Sequence, residues 1–179
     1  FEVDPEHPIE VNGETLFRGF MVWNSEVGAA TFGITAFLYR YVCDNRIVWG
    51  ATEVQELRIR HTGGAPERFG YEGAQYLERY ANESTEQIVT AIKAADEYEV
   101  DRRKDETSEQ AWQGFLQRNG FTGNQAKNAV NSAIAEEGEA RSLWDIVNGV
   151  TASARAVTHT DERVELETRA GRLMERVAK

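Results

Sequence analysis

The chain has 179 residues, of which 41% are apolar and 10% aromatic, so it carries enough apolar side chains for one sizeable core. Thirty acidic residues against 20 basic ones give a net charge of −10, which repels nucleic acid and anionic membranes from the molecule as a whole. A site for either partner must therefore be a local patch, and no apolar run approaches the length of a membrane span.

The chain begins with Phe1 rather than Met and shows no basic segment followed by an apolar one, as a signal peptide would. We therefore expect a processed or truncated chain that lacks an N-terminal region of the full-length protein. The single cysteine, Cys43, cannot form an internal disulfide, which favours a reducing compartment. We expect a cytoplasmic, acidic protein.

Residues 15–61 show the period of two that is typical of β-strands. Four strands are expected, at residues 15–24, 30–43, 47–49 and 52–61. Asp44-Asn45 suits a two-residue hairpin turn because both residues tolerate positive φ. Residues 1–13 are expected to be an extended entry segment because they contain two prolines and four acids. The pattern predicts a four-stranded antiparallel β-meander over 15–61, within a β-rich part at 15–64.

Beyond Pro66 the apolar period becomes helical. The expected helices cover residues 70–99 (as one helix or two), 107–118, 122–137, 142–157 and 161–177. Capping-box patterns begin at Ser84 and Thr122. The last helix places Leu166, Ala170, Leu173 and Val177 on one seam, which is typical of a packing or pairing helix. These patterns predict an α+β fold in a single domain, 1–179, whose helical part at 67–179 packs on the sheet.

Motifs for metal-dependent and covalent catalysis are missing from the sequence. The three histidines lack metal-ligand spacing, and no G-x-S-x-G, G-x-x-x-x-G-K-[ST] or G-x-G-x-x-G occurs. We expect no metal and no cofactor, and a small buried hydrophobe is the favoured role of Cys43 over a nucleophile. An enzyme with Glu26 and His61 as acid and base is the least favoured hypothesis.

The sheet region is less acidic than the rest of the chain, since residues 15–68 carry six arginines and five acids. Arginines and aromatic rings on one surface grip backbone phosphates and stack unpaired bases. The candidate residues for such a nucleic-acid-binding surface are Tyr39, Arg40, Tyr41, Arg46, Arg58, Arg60 and His61. The alternative, which the net charge favours, is that these arginines pair with glutamates while the tyrosines pack in the core.

The predicted helices 107–118 and 122–137, joined by Asn119-Gly120-Phe121, resemble a helix-turn-helix. The polar residues of the second helix that can address base edges are Asn124, Gln125, Lys127, Asn128 and Asn131. However, this helix carries only one basic residue and ends in Glu136 and Glu137. Because any helical hairpin in a bundle shows the same pattern, we favour the bundle interpretation.

Five sequence blocks occur in a fixed order: Gly19 to Gly28, Phe37 to Asn45, Arg58 to Gly63, Leu143 to Thr151 and Ala170 to Leu173. Together they resemble the phage/plasmid-like family called domain of unknown function 932, over most of the chain. The family-motif positions are Asn24, Ser25, Glu26, Cys43, Asn45, Trp144, Asn148 and Thr151, together with Arg40, Arg58, Arg60 and His61. One departure is Asn45-Arg46, where the family is expected to have Asn-Gly. The resemblance implies a gene of phages, plasmids or mobile islands and assigns no activity.

Two functions follow as expectations. The first is nucleic-acid binding by a mobile-element protein, in recombination or single-strand annealing, with single-stranded DNA as the partner of the Arg/Tyr-bearing sheet. The alternative is a non-enzymatic structural or self-assembling interaction protein, a homo-oligomer that pairs through the seam of its last helix. The residues leave open whether the chain is an enzyme, and they favour the answer that it is not.

Overall fold

The computed structural model describes residues 2–23, 32–40, 45–48, 57–60, 62–82 and 84–178. Within these ranges, six strands form one antiparallel sheet and six helices follow them. The strands are β1 (Glu2–Val3), β2 (Ile9–Val11), β3 (Glu14–Trp23), β4 (Phe32–Arg40), β5 (Asn45–Ile47) and β6 (Leu57–Ile59). The helices are α1 (Ala65–Ala81), α2 (Thr85–Glu97), α3 (Ser108–Arg118), α4 (Gly123–Glu137), α5 (Leu143–Ala154) and α6 (Thr160–Val177). The predicted α+β class is confirmed.

β3 and β4 form the centre of the sheet as a long antiparallel pair, in which Leu16 lies opposite Arg40 and Trp23 opposite Gly33. The short strands β1 and β2 both pair with β3, and β5 and β6 both pair with β4. The predicted meander therefore differs in one pairing, because β6 lies beside the first residues of β4 and not beside β5. None of the helices in the described parts of the chain combines the length and the apolar composition of a membrane-spanning segment.

The N-terminal segment contributes strands where the sequence predicts only an extended entry. Asn12 and Gly13 have φ values of 52° and 80°, as both central residues of a type I′ turn require. This turn folds β2 back onto β3, with Ile9 opposite Leu16. The two prolines lie outside the paired residues, so they do not remove a hydrogen bond from the sheet.

The two faces of the sheet pack against different partners. Ile34, Ala36 and Leu38 of β4 point into the main core, which they share with α1 to α6. Phe37 points to the opposite face, where a smaller core contains Met21, Trp23, Val48 and Val164. Because Val164 belongs to α6, the N-terminal half of this helix covers the second face.

The seam of α6 is occupied within this chain. Leu166, Ala170 and Leu173 are each at most 4% exposed and belong to the main core, and only Val177 is half-buried. The seam is therefore a packing seam, and these side chains are already covered by the other helices.

Local hydrogen bonds fix the ends of the helices. The capping box predicted at Thr122 is present, since its hydroxyl accepts the N–H of Gln125 while the Gln125 side chain accepts the N–H of Thr122. Ser142 and Asp145 form an equivalent box at α5. Ser84 precedes α2 as predicted, but its side chain makes no capping hydrogen bond.

Small residues allow α4 and α5 to pack at close range. An added Cβ at Gly149 of α5 would overlap with the carbonyl oxygen of Ala129 and the methyl group of Ala133 on α4. The face of α4 turned to the helical core carries alanines and one valine, all buried. The opposite face of α4 consequently points away from the core.

Replacing Gly149 with alanine is expected to destabilise the protein by about 1–3 kcal/mol, because the new methyl group must push the two helices apart. Gly70→Ala in α1 is the matched control. Nothing lies within 4 Å of an added Cβ there, so the better helix propensity of alanine is expected to add roughly 0.5–1 kcal/mol. Urea denaturation followed by circular dichroism measures both free energies of unfolding, and a stabilising Gly149→Ala would contradict the close packing.

Candidate nucleic-acid interface

Arg40, the last residue of β4, lies inside the protein and is only 7% exposed. Its Nε lies 2.7 Å from Oε2 of Glu14, and its guanidinium also pairs with Glu137 at the end of α4. The indole N–H of Trp144 donates to the same Glu14 carboxylate at 3.2 Å. Arg40 therefore connects the sheet to α4 and α5, and its charge is compensated by the two carboxylates.

Arg46 is also buried, at 6% exposure, but it lies on the opposite face of the sheet from Arg40. Its guanidinium carbon lies 5.8 Å from the centre of the Phe37 ring, and its Nη2 lies 3.1 Å from Oε1 of Glu167 on α6. Phe37 in turn covers Gly19, its cross-strand partner, where an added Cβ would come within 2.7 Å of the ring. Glycine, ring, arginine and carboxylate thus form one stack.

Arg58 repeats this arrangement further along the same β3–β4 pair. Its guanidinium carbon lies 5.8 Å from the centre of the Trp23 ring, and its Nη1 lies 3.7 Å from Oδ1 of Asp161 on α6. Trp23 covers Gly33, its cross-strand partner, so closely that an added Cβ would overlap with the indole. Sequence reasoning missed both stacks, although an aromatic residue set across from a glycine in a strand pair is their signal.

The remaining arginines of the sheet region also have partners. Arg18 donates to the carbonyl oxygens of Tyr80 and Ala81 at 3.1 and 2.8 Å, at the C-terminal end of α1. Arg68 pairs with Glu72, one turn further along α1. Arg60, just beyond β6, is exposed, as are Arg58 and Arg68.

The predicted sheet surface is thus divided between two faces. Tyr39 lies directly opposite Arg46 and is half-buried against the second core, while Arg40 points to the helical side. Tyr41 and His61 lie outside the described residues. The same holds for the predicted family-motif residues Asn24, Ser25, Glu26 and Cys43, and only the backbone of Asn45 is described, in β5.

The family-motif residues of α5 are all buried. Asn148 donates from Nδ2 to the carbonyl oxygen of Trp144 at 2.9 Å, and Thr151 donates from its hydroxyl to the carbonyl oxygen of Asn148 at 2.9 Å. These bonds satisfy polar groups inside the helix that packs against α4 and α6. Their contacts are structural. In the described part of the chain, no three His, Cys, Asp or Glu side chains are grouped to hold a metal ion.

The hairpin of α3 and α4 has a tightly defined turn. The N–H of Phe121 donates to the carbonyl oxygen of Leu116, and that of Gly120 to Gln117, both at 3.1 Å. These are the two bonds of a Schellman motif, and Gly120, at φ 90°, supplies its left-handed residue. Phe121 is buried and Thr122 is the N-cap of α4, so the direction of the helix after the turn is fixed.

One face of α4 is exposed and polar. The side chains on this face are those of Asn124, Lys127, Asn128 and Asn131. Their spacing of three or four residues keeps them on one side of the helix. Arg118, at the end of the preceding helix α3, is also exposed, and we include it with these four residues in what we name the α4 surface. Gln125 does not belong to it, because its side chain is engaged in the capping box.

The α4 surface is free of negative charge. Residues 110–135 contain no Asp or Glu, although the whole chain has 30. Glu136 and Glu137, which count against a binding helix in the sequence, are half-buried and pair with Arg155 and Arg40. Beside the turn, Arg169 donates to the carbonyl oxygen of Gly120 at 2.6 Å. Residues 110–135 therefore carry two basic side chains and no acidic one, whereas the charge of Arg169 beside them is paired with Glu165.

A family model described as Domain of unknown function (DUF932) matches residues 4–177. The chain belongs to this family. The predicted membership in DUF932 is thereby confirmed, whereas the association with phages and plasmids stays a prediction. No curated protein and no solved structure matches this DUF932 chain. The function of the DUF932 chain must therefore be argued from its geometry.

Replacing Arg40 with alanine is expected to lower the free energy of unfolding by about 3 kcal/mol, because Glu14 and Glu137 lose the counter-ion between them. Arg60→Ala, at an exposed position, serves as the control and is expected to change stability by less than about 0.5 kcal/mol. Urea denaturation at neutral pH compares the two variants. Equal stability of both would show that the Arg40 contacts do not hold the fold.

The pH dependence of stability tests the buried ion pairs under α6. Burial raises the pKa of the Glu167 carboxyl above its ordinary value of 4.5, although Arg46 and Arg163 beside it act in the opposite direction. A raised folded-state pKa means that the folded chain holds this proton more tightly than the unfolded one. The stabilisation is therefore complete below the unfolded-state pKa and is lost as pH rises through the folded-state pKa.

We expect the free energy of unfolding of the wild type, minus that of Glu167→Gln, to decrease as the pH is raised from about 4 to about 7. Glu162→Gln, an exposed position on the same helix, is the control and is expected to give a flatter difference. Urea titrations at several pH values measure both. A difference that grows with pH would mean that Arg46 and Arg163 lower the pKa of Glu167 by more than burial raises it.

Proposed function

We propose that this DUF932 chain is a non-enzymatic nucleic-acid-binding protein and that the α4 surface makes the contact. The observation that carries this proposal is the exposed, carboxylate-free face of α4 in a chain with a net charge of −10. A polyanion is repelled by most of such a molecule, so it is accommodated only where acids are absent. The α3–α4 hairpin meets that condition.

The chemistry of the α4 surface suits a nucleic acid. Arg118 and Lys127 supply positive charge for phosphates, and the asparagines supply paired donors and acceptors for base edges. The N-terminus of α4, which follows the exposed Thr122, adds its partial positive charge at that end of the helix.

The sheet is the weaker candidate for the same role. Arg40 and Arg46 would have to leave buried carboxylate partners before they could bind a phosphate. Arg58, which is 37% exposed, and the exposed Arg60 can support binding only as an additional phosphate contact at the end of β6.

The biological setting that we propose is a mobile element, where the protein takes part in recombination or single-strand annealing. The resemblance of the sequence blocks to phage/plasmid-like proteins supports this setting. The alternative, a self-assembling structural protein, relied on the α6 seam as a pairing surface. Since Leu166, Ala170 and Leu173 are covered within the chain, homo-oligomerisation stays a prediction without an identified surface.

Fluorescence anisotropy with labelled DNA tests the proposal. At about 50 mM salt the chain is expected to bind, and Lys127→Ala is expected to reduce the slope of log K against log salt by about 0.7–0.9, the contribution of one phosphate contact. Lys93→Ala on α2 removes another exposed lysine and is expected to leave the slope unchanged. Absence of binding to single-stranded and duplex DNA at low salt would refute the function.

A further inference from the structure

The amides of the α4 surface carry information about the ligand. A carboxamide offers a donor and an acceptor side by side, which matches the N6 amino group and N7 of adenine in the major groove. The α4 surface holds three exposed asparagines and no exposed carboxylate, the group that would accept from cytosine. Arg118 and Lys127 on the same surface could bind guanine, so a preference for A·T requires that the asparagines, and not these two cations, face the bases.

The dimensions of α4 fit the same groove. Asn128 and Asn131 are three positions apart on one face, so they are separated by about 4.5 Å along the helix axis. This rise is close to one base-pair step of about 3.4 Å, so the two amides can address neighbouring base pairs. The major groove, at about 12 Å wide, admits a helix, whereas the minor groove does not.

The helix is also held rigidly enough to present these side chains. The capping box fixes its first turn, and the pairs of Glu136 with Arg155 and Glu137 with Arg40 fix its last turn. The overlap at Gly149 leaves no room for α4 to move toward α5. At the turn, nothing lies within 4 Å of an added Cβ at Gly120, so a DNA backbone can approach there. Base reading depends on such fixed placement.

We infer that α4 enters the major groove of duplex DNA, with Asn128 and Asn131 reading adenine and Arg118 and Lys127 contacting the phosphates on either side. This inference rests on the proposed function and specifies its ligand as A·T-containing duplex rather than single-stranded DNA, so it selects recombination and not single-strand annealing as the setting. It assigns base reading to the two amides and affinity to the two cations, so the two groups of residues have separable effects.

The first experiment compares an A·T duplex, a G·C duplex and a single strand of equal length in anisotropy titrations at one low salt concentration. We expect the A·T duplex to bind about tenfold more tightly than the G·C duplex, which corresponds to one good bidentate contact. Replacing the adenines with 7-deazaadenine removes N7 but leaves the backbone and the minor groove intact. This replacement is expected to abolish the preference.

The second experiment assigns the preference to residues. Asn128→Ala and Asn131→Ala are expected to reduce the A·T preference without changing the salt slope, whereas Lys127→Ala lowers the slope and retains the preference. Gln75→Ala, an exposed amide on α1, is the matched control and is expected to change neither. All four positions are exposed, so none of these substitutions is expected to unfold the protein.

The outcomes separate the inference from the proposed function. Equal binding to both duplexes, insensitivity to 7-deazaadenine or tighter binding to the single strand would overturn major-groove reading while nucleic-acid binding stands. No binding to any of the three probes would overturn both. A preference that survives both asparagine substitutions would place the reading residues elsewhere and likewise overturn the inference.

Discussion

The ion pairs of Arg40 connect three parts of the fold that are far apart in the chain. The Arg40 guanidinium is buried at the end of β4. The loss of its hydration is compensated by Glu14 at the start of β3 and Glu137 at the end of α4. Through Glu14 the network also reaches Trp144 on α5. The position of α4, and with it the direction of its exposed face, depends on this contact.

The same contact sets the charge of the α4 surface. Glu137 would otherwise extend a negative patch along α4, but it is drawn to the sheet, and Arg155 draws Glu136 to the α5 side. The last turn therefore holds two carboxylates whose charges are paired. What remains toward solvent is the stretch without acids, so one structural interaction both anchors the helix and makes its free face compatible with a polyanion.

On the other face of the sheet, arginines hold α6 in place. Arg46 and Arg58 each lie over an aromatic ring that rests on a glycine, and each meets a carboxylate of α6. Because the cations are partly or fully desolvated, both the ring and the carboxylate contribute to their stabilisation. An arginine-rich sheet in this protein is thus largely a device for packing a helix. The content of arginine alone does not identify a binding surface.

Local features of this fold could be predicted from the sequence, and long-range pairings could not. The capping box at Thr122 and the helical periods depend on neighbouring residues, so the helix positions were accessible. The turn at Asn12-Gly13 is equally local, but the expectation of an extended entry segment over residues 1–13 did not include it. By contrast, Arg40 and Glu137 are 97 residues apart, and among 30 acids the sequence offers no means of choosing the partner.

The candidate site depended on this missing information. From the sequence, Glu136 and Glu137 were a reason to discount the hairpin, because unpaired acids at a helix end repel phosphates. The contacts with Arg155 and Arg40 remove that reason, while burial of Arg40 and Arg46 weakens the case for the sheet. Once the ion-pair partners are known, the α3–α4 hairpin becomes the stronger candidate and the sheet the weaker one. The sequence shows all of these residues but not how they pair.

The net charge and the local surface act at different distances from DNA. At physiological salt the Debye length is about 8 Å, so an approaching duplex senses the charge of −10 only within the last few water layers. Within that distance, orientation decides whether phosphates meet carboxylates or the face of α4. Under the proposed function, wrong orientations would be rejected electrostatically, and the acidic remainder of the molecule would direct binding to the acid-free face of α4.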